Sequence, residues 1–143
     1  MSIIRMKDNQ NIHSNESMNI LITTAGAVTA RTIARSLRKS PTFRDAKLIG
    51  ADVCHDLYGL YEIGLFDRIY RVPLQNDESE YQQVIGTICR NEDINAAIIV
   101  HELEVLFWTE HVLPVPTLLP PPQFSHAVSN KATLYKMLER TGL

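Results

Sequence analysis

Short apolar runs alternate with stretches of helical periodicity along residues 18–140, and few folds accommodate this pattern. We predict strands at residues 19–24, 47–52, 68–72 and 96–100, with 117–119 as a candidate for a last strand. Strands that alternate with helices build βαβ units with right-handed crossovers and a mainly parallel sheet. The predicted fold is therefore a doubly wound, Rossmann-like α/β domain with three α/β/α layers.

The helical stretches carry apolar residues every three or four positions, so each is predicted to present one apolar face. The inward residues predicted in this way are Ala30, Ile33, Ala34 and Leu37 in the first helix, Tyr81, Val84, Ile85 and Ile88 in the second, and Leu134, Met137 and Leu138 in a last helix near 131–140. Asp77, with Glu80 three residues later, has the pattern of a capping box at the start of the second helix. A further helix is predicted from 103, and one helical turn at 57–60.

Composition limits the class of protein. The 143 residues are 45% hydrophobic and 21% charged, which suits one domain with a real core. A net charge of -2 gives no general attraction to nucleic acid or acidic lipid. No apolar run approaches a membrane span of about 20 residues, and the first ten residues do not resemble a signal peptide. We expect a cytoplasmic protein with no nucleic-acid or membrane partner, in which Cys54 and Cys89 are thiols, with one disulfide as the alternative.

Three parts of the chain are predicted from these patterns. Residues 1–17 are mostly polar and are expected to form a mobile tail. The Rossmann-like domain is predicted to cover residues 18–122. Residues 123–143, which follow a triple proline, are predicted to be a linker and a helix.

The first turn, 23–27, is the first candidate for ligand contact, because ligands of open parallel sheets bind beyond the carboxyl ends of the strands. Ala25, Gly26 and Ala27 lie between the first strand and first helix, where free N–H groups can hold an anion. A dinucleotide loop needs three glycines, but Val28 and Arg31 occupy the second and third glycine positions. A turn without a ligand and a turn that contacts a ligand both remain open, and bound NAD is disfavoured.

Three carboxylates are predicted at the same edge of the sheet. Asp52 ends the second strand, where dinucleotide-binding domains hold a ribose, but without the glycines of such domains an exposed or helix-capping aspartate is the favoured interpretation. Glu102 and Glu104 follow the fourth strand, and their spacing places them on different faces of a helix. One of them is expected to complement the helix dipole and the other to face the cleft. His55 and His101 have no metal-binding partner at a suitable spacing, so no metal site and no catalytic residue is predicted.

The order of these features resembles the N-terminal pre-ATP-grasp domain of the ATP-grasp carboxylate–amine ligases. The segments that carry the resemblance are TTAGAVTA, IGAD, RIYRVP, IIVHELEVL and SNKATLYKMLERTGL, which together extend over residues 18–143. The chain is most similar in style to stand-alone members related to the large subunit of carbamoyl-phosphate synthase.

The resemblance implies a role in a reaction that the chain does not complete alone. Such ligases use ATP and Mg²⁺ to convert a carboxylate to an acyl phosphate, which an amine then attacks. The family's Asp-Lys step, whose lysine reaches ATP phosphate, reads Asn130-Lys131 here, so the resemblance assigns phosphate contact to Lys131. It also implies a C-terminal ATP-grasp domain as partner, in the same or a separate chain, and no ligase turnover by residues 1–143 alone; a homodimer is possible. The alternatives are a stand-alone Rossmann-like nucleotide- or cofactor-binding module and, less favoured by its residues, an interaction domain.

Overall fold

The computed structural model describes residues 18–54, 56 and 62–141. The polar tail predicted at 1–17, the helical turn predicted at 57–60 and His55 lie outside the described residues. Within the described ranges, no helix is both long enough and apolar enough to cross a membrane.

Four parallel strands form the sheet, in the order β3-β2-β1-β4. They are β1 (Asn19–Thr23), β2 (Lys47–Asp52), β3 (Arg68–Arg71) and β4 (Ala96–Ile98). Leu21 of β1 lies opposite Ile49 of β2 and Ala97 of β4, and this register aligns the carboxyl ends of the three strands. The candidate last strand is present as a single parallel bridge between Ala97 and Thr117.

Five helices complete the described chain: α1 (Val28–Lys39), α2 (Glu78–Asn91), α3 (Glu102–Glu110), α4 (Pro122–Ser129) and α5 (Lys131–Thr141). Asp77 caps α2 by accepting a hydrogen bond from the Glu80 N–H at 3.3 Å, as its sequence pattern predicts. α4 forms within the segment that the triple proline marks as a link, because Pro122 at the first helical position has a backbone angle that suits a helix start.

Alternate residues of the strands feed two cores, one on each face of the sheet. Ile20, Ile22 and Leu48 pack against the buried alanines of α1 on one face. Leu21 and Ile49 pack on the other face against residues of α2 and α3, which include Tyr81, Ile85, Phe107 and Trp108. Helices on both faces of a parallel sheet confirm the predicted three-layer α/β architecture.

The last helix does not bury the residues predicted to face inward. Met137 and Leu138 of α5 are 45% and 36% exposed, and no residue of this helix is buried. α5 packs mainly against α4. The prediction that Leu134, Met137 and Leu138 face inward is therefore wrong, because the described part of the chain buries no residue of α5.

Candidate functional site

A cavity of about 140 Å³ lies beyond the carboxyl ends of β1 and β2, where the sequence predicts a ligand site. Its lining includes Thr24, Asp52, Leu74, His101 and Glu104, and we call it the carboxyl-end cavity. Asp52 and Glu104 are only 4% and 5% exposed, so two buried carboxylates contribute to its wall. The structure thus brings together two of the three carboxylates nominated from the sequence.

Glu104 is held by three hydroxyl groups, two from the end of β1 and the turn that follows it and one from α2. Thr23 and Thr24 each donate to Oε2 at 2.7 Å, and Tyr81 of α2 donates to Oε1 at 2.5 Å. Thr23 also accepts a hydrogen bond from the Val100 N–H at 3.2 Å, so its side chain joins the ends of β1 and β4. The carboxylate is therefore fixed in position by three hydrogen bonds without a cation among these donors.

The environment of Tyr81 changes the pKa of its phenol group. Its ring is fully buried and makes an edge contact with Phe107, with centroids 5.3 Å apart. Burial raises the pKa of Tyr81, and the negative charge and hydrogen bond of Glu104 raise it further. The phenol consequently remains a hydrogen-bond donor to Glu104 throughout the physiological pH range.

Asp52 closes the turn that follows β1. Its Oδ2 accepts the Gly26 N–H at 2.8 Å and its Oδ1 accepts the Cys54 N–H at 2.9 Å. The N–H groups on either side of Gly26 are also used, because Ala25 donates to the Ala51 carbonyl and Ala27 donates to the Thr24 carbonyl. A carboxylate beside three occupied N–H groups does not suit a pyrophosphate, which needs free donors and no nearby negative charge.

The backbone of this turn is shaped by Thr24 and by a close approach at Gly50. Thr24 has φ of 50°, in the left-handed region that a β-branched residue rarely adopts, whereas Gly26 has no positive φ. A Cβ atom at Gly50 would lie 2.9 Å from the Cβ of Ala25, which is itself fully buried. The glycine that permits the turn to pack is therefore Gly50 in β2, and Ala25 contributes packing in place of ligand contact.

Glu102 lies on a different side of α3 from Glu104. It is exposed and lines a separate cavity of about 270 Å³ between α3 and α4, which we call the α3–α4 pocket. His101 caps α3 through Nδ1, which accepts the Leu103 N–H at 3.2 Å, so the helix cap is neither of the two glutamates.

Lys131 is exposed in the first turn of α5 and does not line the carboxyl-end cavity. Asn130 precedes it and caps the helix, since its Oδ1 accepts the N–H groups of Ala132 at 3.0 Å and Thr133 at 3.2 Å. Asparagine at this position therefore caps the helix as an aspartate also could.

A third buried carboxylate, Glu92, was not nominated from the sequence. It follows α2 and lies at the amino end of the sheet, where its side chain accepts hydrogen bonds from Lys47 and Arg68, both at 2.7 Å, and from Tyr70. These four residues form the Glu92 cluster. The Lys47 and Tyr70 hydrogen bonds, with Arg68, lower the pKa of Glu92 to about 2. The available signal was that two adjacent parallel strands each begin with a basic residue, Lys47 and Arg68, although Arg68 pairs in register with Ile49, two positions beyond Lys47.

Metal binding receives no support from the described residues, because no group of three or more His, Cys, Asp or Glu side chains is arranged there to hold an ion.

Comparisons with known proteins add one fold relationship. No family model matches the chain, and no curated protein matches it in sequence. The fold is similar to that of an L-amino acid ligase from Bacillus licheniformis in its crystal structure, with a TM-score of 0.60 and 16% sequence identity. The match covers 89% of this chain and 31% of the ligase chain, so the present chain corresponds in fold to less than a third of that enzyme.

Proposed function

We propose that this chain is the N-terminal, substrate-side domain of an ATP-grasp carboxylate–amine ligase. In that role it forms one wall of the site where a carboxylate, activated by ATP as an acyl phosphate, is joined to an amine. The chemistry of phosphate transfer belongs to the ATP-grasp partner domain, in the same or a separate chain. A relation to carbamoyl-phosphate synthase, a cytoplasmic location and a homodimer are parts of the proposal that rest on the sequence alone.

The observation that carries this proposal is the fold match to a ligase over nearly all of this chain and only a minor part of the other. The order of sequence motifs supports the same assignment independently. An L-amino acid ligase is named for amino acid substrates, and amino acids provide both a carboxylate and an amine. We accordingly propose amino acids as the first substrate class to test.

The carboxyl-end cavity supports an amine as the group that this domain contacts. Two buried carboxylates line it, and an ammonium group can donate three hydrogen bonds to such acceptors. Glu104 is already oriented by its three hydroxyl donors, so it loses little side-chain freedom when a ligand binds. A phosphate or second carboxylate would be repelled from the same wall.

ATP would meet this chain at the start of α5, where Lys131 is exposed and available to a phosphate. The resemblance assigns the Mg²⁺ ligands to the ATP-grasp partner domain, where the ion would be held together with ATP. The alternative of a stand-alone dinucleotide module is disfavoured by geometry, because Asp52 occupies the Gly26 N–H of the turn.

The experiment measures ADP released from ATP and Mg²⁺ in the presence of a panel of L-amino acids. The chain is assayed alone and together with the ATP-grasp partner domain that the proposal requires. We expect turnover only with that domain present. Turnover by the chain alone, or none under either condition with any carboxylate and amine pair, would overturn the proposal.

Two substitutions test the proposed amine contact and the proposed ATP contact separately. Glu104→Gln should raise the KM for the amine about 10- to 100-fold, the effect of losing a charged hydrogen bond worth about 1.5–3 kcal/mol, with little change for ATP. Lys131→Met should raise the KM for ATP instead. Lys136→Met, an exposed lysine on the same helix, is the matched control and should change neither constant.

A further inference from the structure

The α3–α4 pocket has features that the ligase role does not explain. Its walls are mainly apolar and include Val100, Val105, Leu106 and Val128. Its volume of about 270 Å³ exceeds by several times the roughly 30 Å³ that one water molecule occupies in the liquid. A single bridging water therefore does not fill it, and the space suits a small organic molecule.

Ser125 supplies a buried polar group to this pocket. Its residue is 3% exposed, and its hydroxyl oxygen has no hydrogen-bond partner among the described residues. Burial of an unpaired hydroxyl costs about 1–3 kcal/mol, so the position is unfavourable unless another molecule completes the hydrogen bond. The neighbouring Ser129 differs, because its hydroxyl donates to the His126 carbonyl at 3.0 Å.

Glu102 gives the pocket a negative charge. It is the first residue of α3 and is exposed, and none of the described residues that line the pocket is a lysine or arginine. The lining therefore combines an apolar wall, one unpaired hydroxyl oxygen and one carboxylate. An ammonium group can donate to both oxygens at once, and an attached aliphatic chain would contact the apolar wall.

We propose that the α3–α4 pocket binds a primary ammonium group attached to a small branched aliphatic chain. The ammonium donates to Ser125 Oγ and to the Glu102 carboxylate, and the aliphatic part packs against Val105, Leu106 and Val128. The site is separate from the carboxyl-end cavity, which lies on the other side of α3. A free amine, a free amino acid and the amino terminus of a peptide share this chemistry.

The test is an NMR titration of the full ¹⁵N-labelled chain, without ATP, using 3-methylbutylamine as the probe. We expect saturable shifts in residues 100–106 and 125–129, and weaker binding of the neutral 3-methylbutanol. L-Leucine and L-leucinamide distinguish the sources: equal binding of both indicates a free amino acid, and binding of leucinamide alone indicates a peptide amino terminus. Absence of saturable shifts with all three amines, or shifts confined to other residues, overturns the proposal.

Two variants test the named contacts. Glu102→Gln and Ser125→Ala should each weaken binding of 3-methylbutylamine at least fivefold. Ser125→Ala should leave the thermal midpoint unchanged or raised, because it removes an unpaired buried hydroxyl. Glu139→Gln on α5 and Ser36→Ala on α1 are the controls, because both residues are exposed and lie outside the pocket, and they should bind like the parent chain. Unchanged binding in Glu102→Gln would overturn the ammonium assignment, and because ATP is absent, neither result bears on the ligase proposal.

Discussion

Glu92 and Glu104 are buried carboxylates at opposite ends of one sheet, and the protein holds them in opposite ways. At the amino end, Glu92 is paired with Lys47 and Arg68, so its charge is neutralised. At the carboxyl end, Glu104 is held by three hydroxyl groups and faces a cavity that also contains Asp52. Charge is cancelled where the sheet only needs to be stable and is left available where a parallel sheet binds ligands.

This contrast predicts that the hydroxyl-held end depends mainly on packing. Tyr81→Ala should lower the free energy of unfolding by about 3–5 kcal/mol, because it removes a fully buried ring from the core of α2 and α3. Tyr81→Phe keeps the ring and loses only the donor to Glu104, so it should cost about 1–3 kcal/mol. Urea unfolding of both variants measures the loss in stability from removing the whole side chain and from removing the hydroxyl group alone. Equal losses would mean that the hydroxyl dominates, and the contrast would fail.

The cation-held end should depend on charge. Glu92→Gln leaves Lys47, Arg68 and the Tyr70 hydroxyl without their common acceptor and should cost about 1–3 kcal/mol in urea unfolding. Glu104→Gln should cost less, because its hydroxyl donors are neutral. Glu139→Gln, an exposed residue of α5, is the control and should unfold like the parent chain. A larger loss for Glu104→Gln than for Glu92→Gln would reverse the comparison.

Close packing beneath the turn gives a third test. Gly50→Ala should cost about 1–2 kcal/mol, because its new Cβ would crowd Ala25 at 2.9 Å and two side chains at 3.3 Å. Gly86→Ala in α2 meets only the flexible end of Arg90 at 3.4 Å and should instead gain about 0.5–1 kcal/mol from helix propensity. Thermal unfolding distinguishes the opposite signs, and a neutral Gly50→Ala would show that the turn can shift at little cost.

The pH dependence of stability gives the test with the smallest expected effect, and it concerns Glu92 at the amino end of the sheet. The pKa of Glu92 is lowered to about 2 in the folded protein, from an ordinary value near 4.5. The unfolded chain therefore binds the proton at higher pH, so the stability that Glu92 contributes is complete above about pH 5 and declines as pH falls toward 2. The difference in urea midpoint between the parent chain and Glu92→Gln should shrink over that interval. A constant difference from pH 7 to pH 2.5 would contradict this assignment.

Strand and helix patterns predicted most of the architecture because local periodicity determines it. The bounds of β2 were predicted without error, and β4 is shorter than its apolar run because pairing with β1 ends at Ile98. α4 was missed because prolines usually end helices, although Pro122 starts this one. The exposure of Met137 and Leu138 could not be read from periodicity, since an apolar face does not reveal what covers it.

The sequence predicted that Asp52 and Glu104 lie at one edge of the sheet, but not how their side chains are held. Topology alone brings Asp52 and Glu104 to one edge, and their spacing separates Glu102 from Glu104. The hydroxyl donors to Glu104 come from residues up to 81 positions away, so no local pattern announces them. The same applies to Glu92. Its partners Lys47 and Arg68 begin β2 and β3, and they lie 45 and 24 positions before Glu92 in the sequence.

α3 is a shared wall between two cavities. Glu104 and Leu103 face one of them, and Glu102, Val105 and Leu106 face the other. A ligand that displaces this short helix from one side alters the shape of the space on the other side. Thermodynamic linkage then requires that the factor by which the first ligand changes the affinity for the second equals the factor for the reverse order.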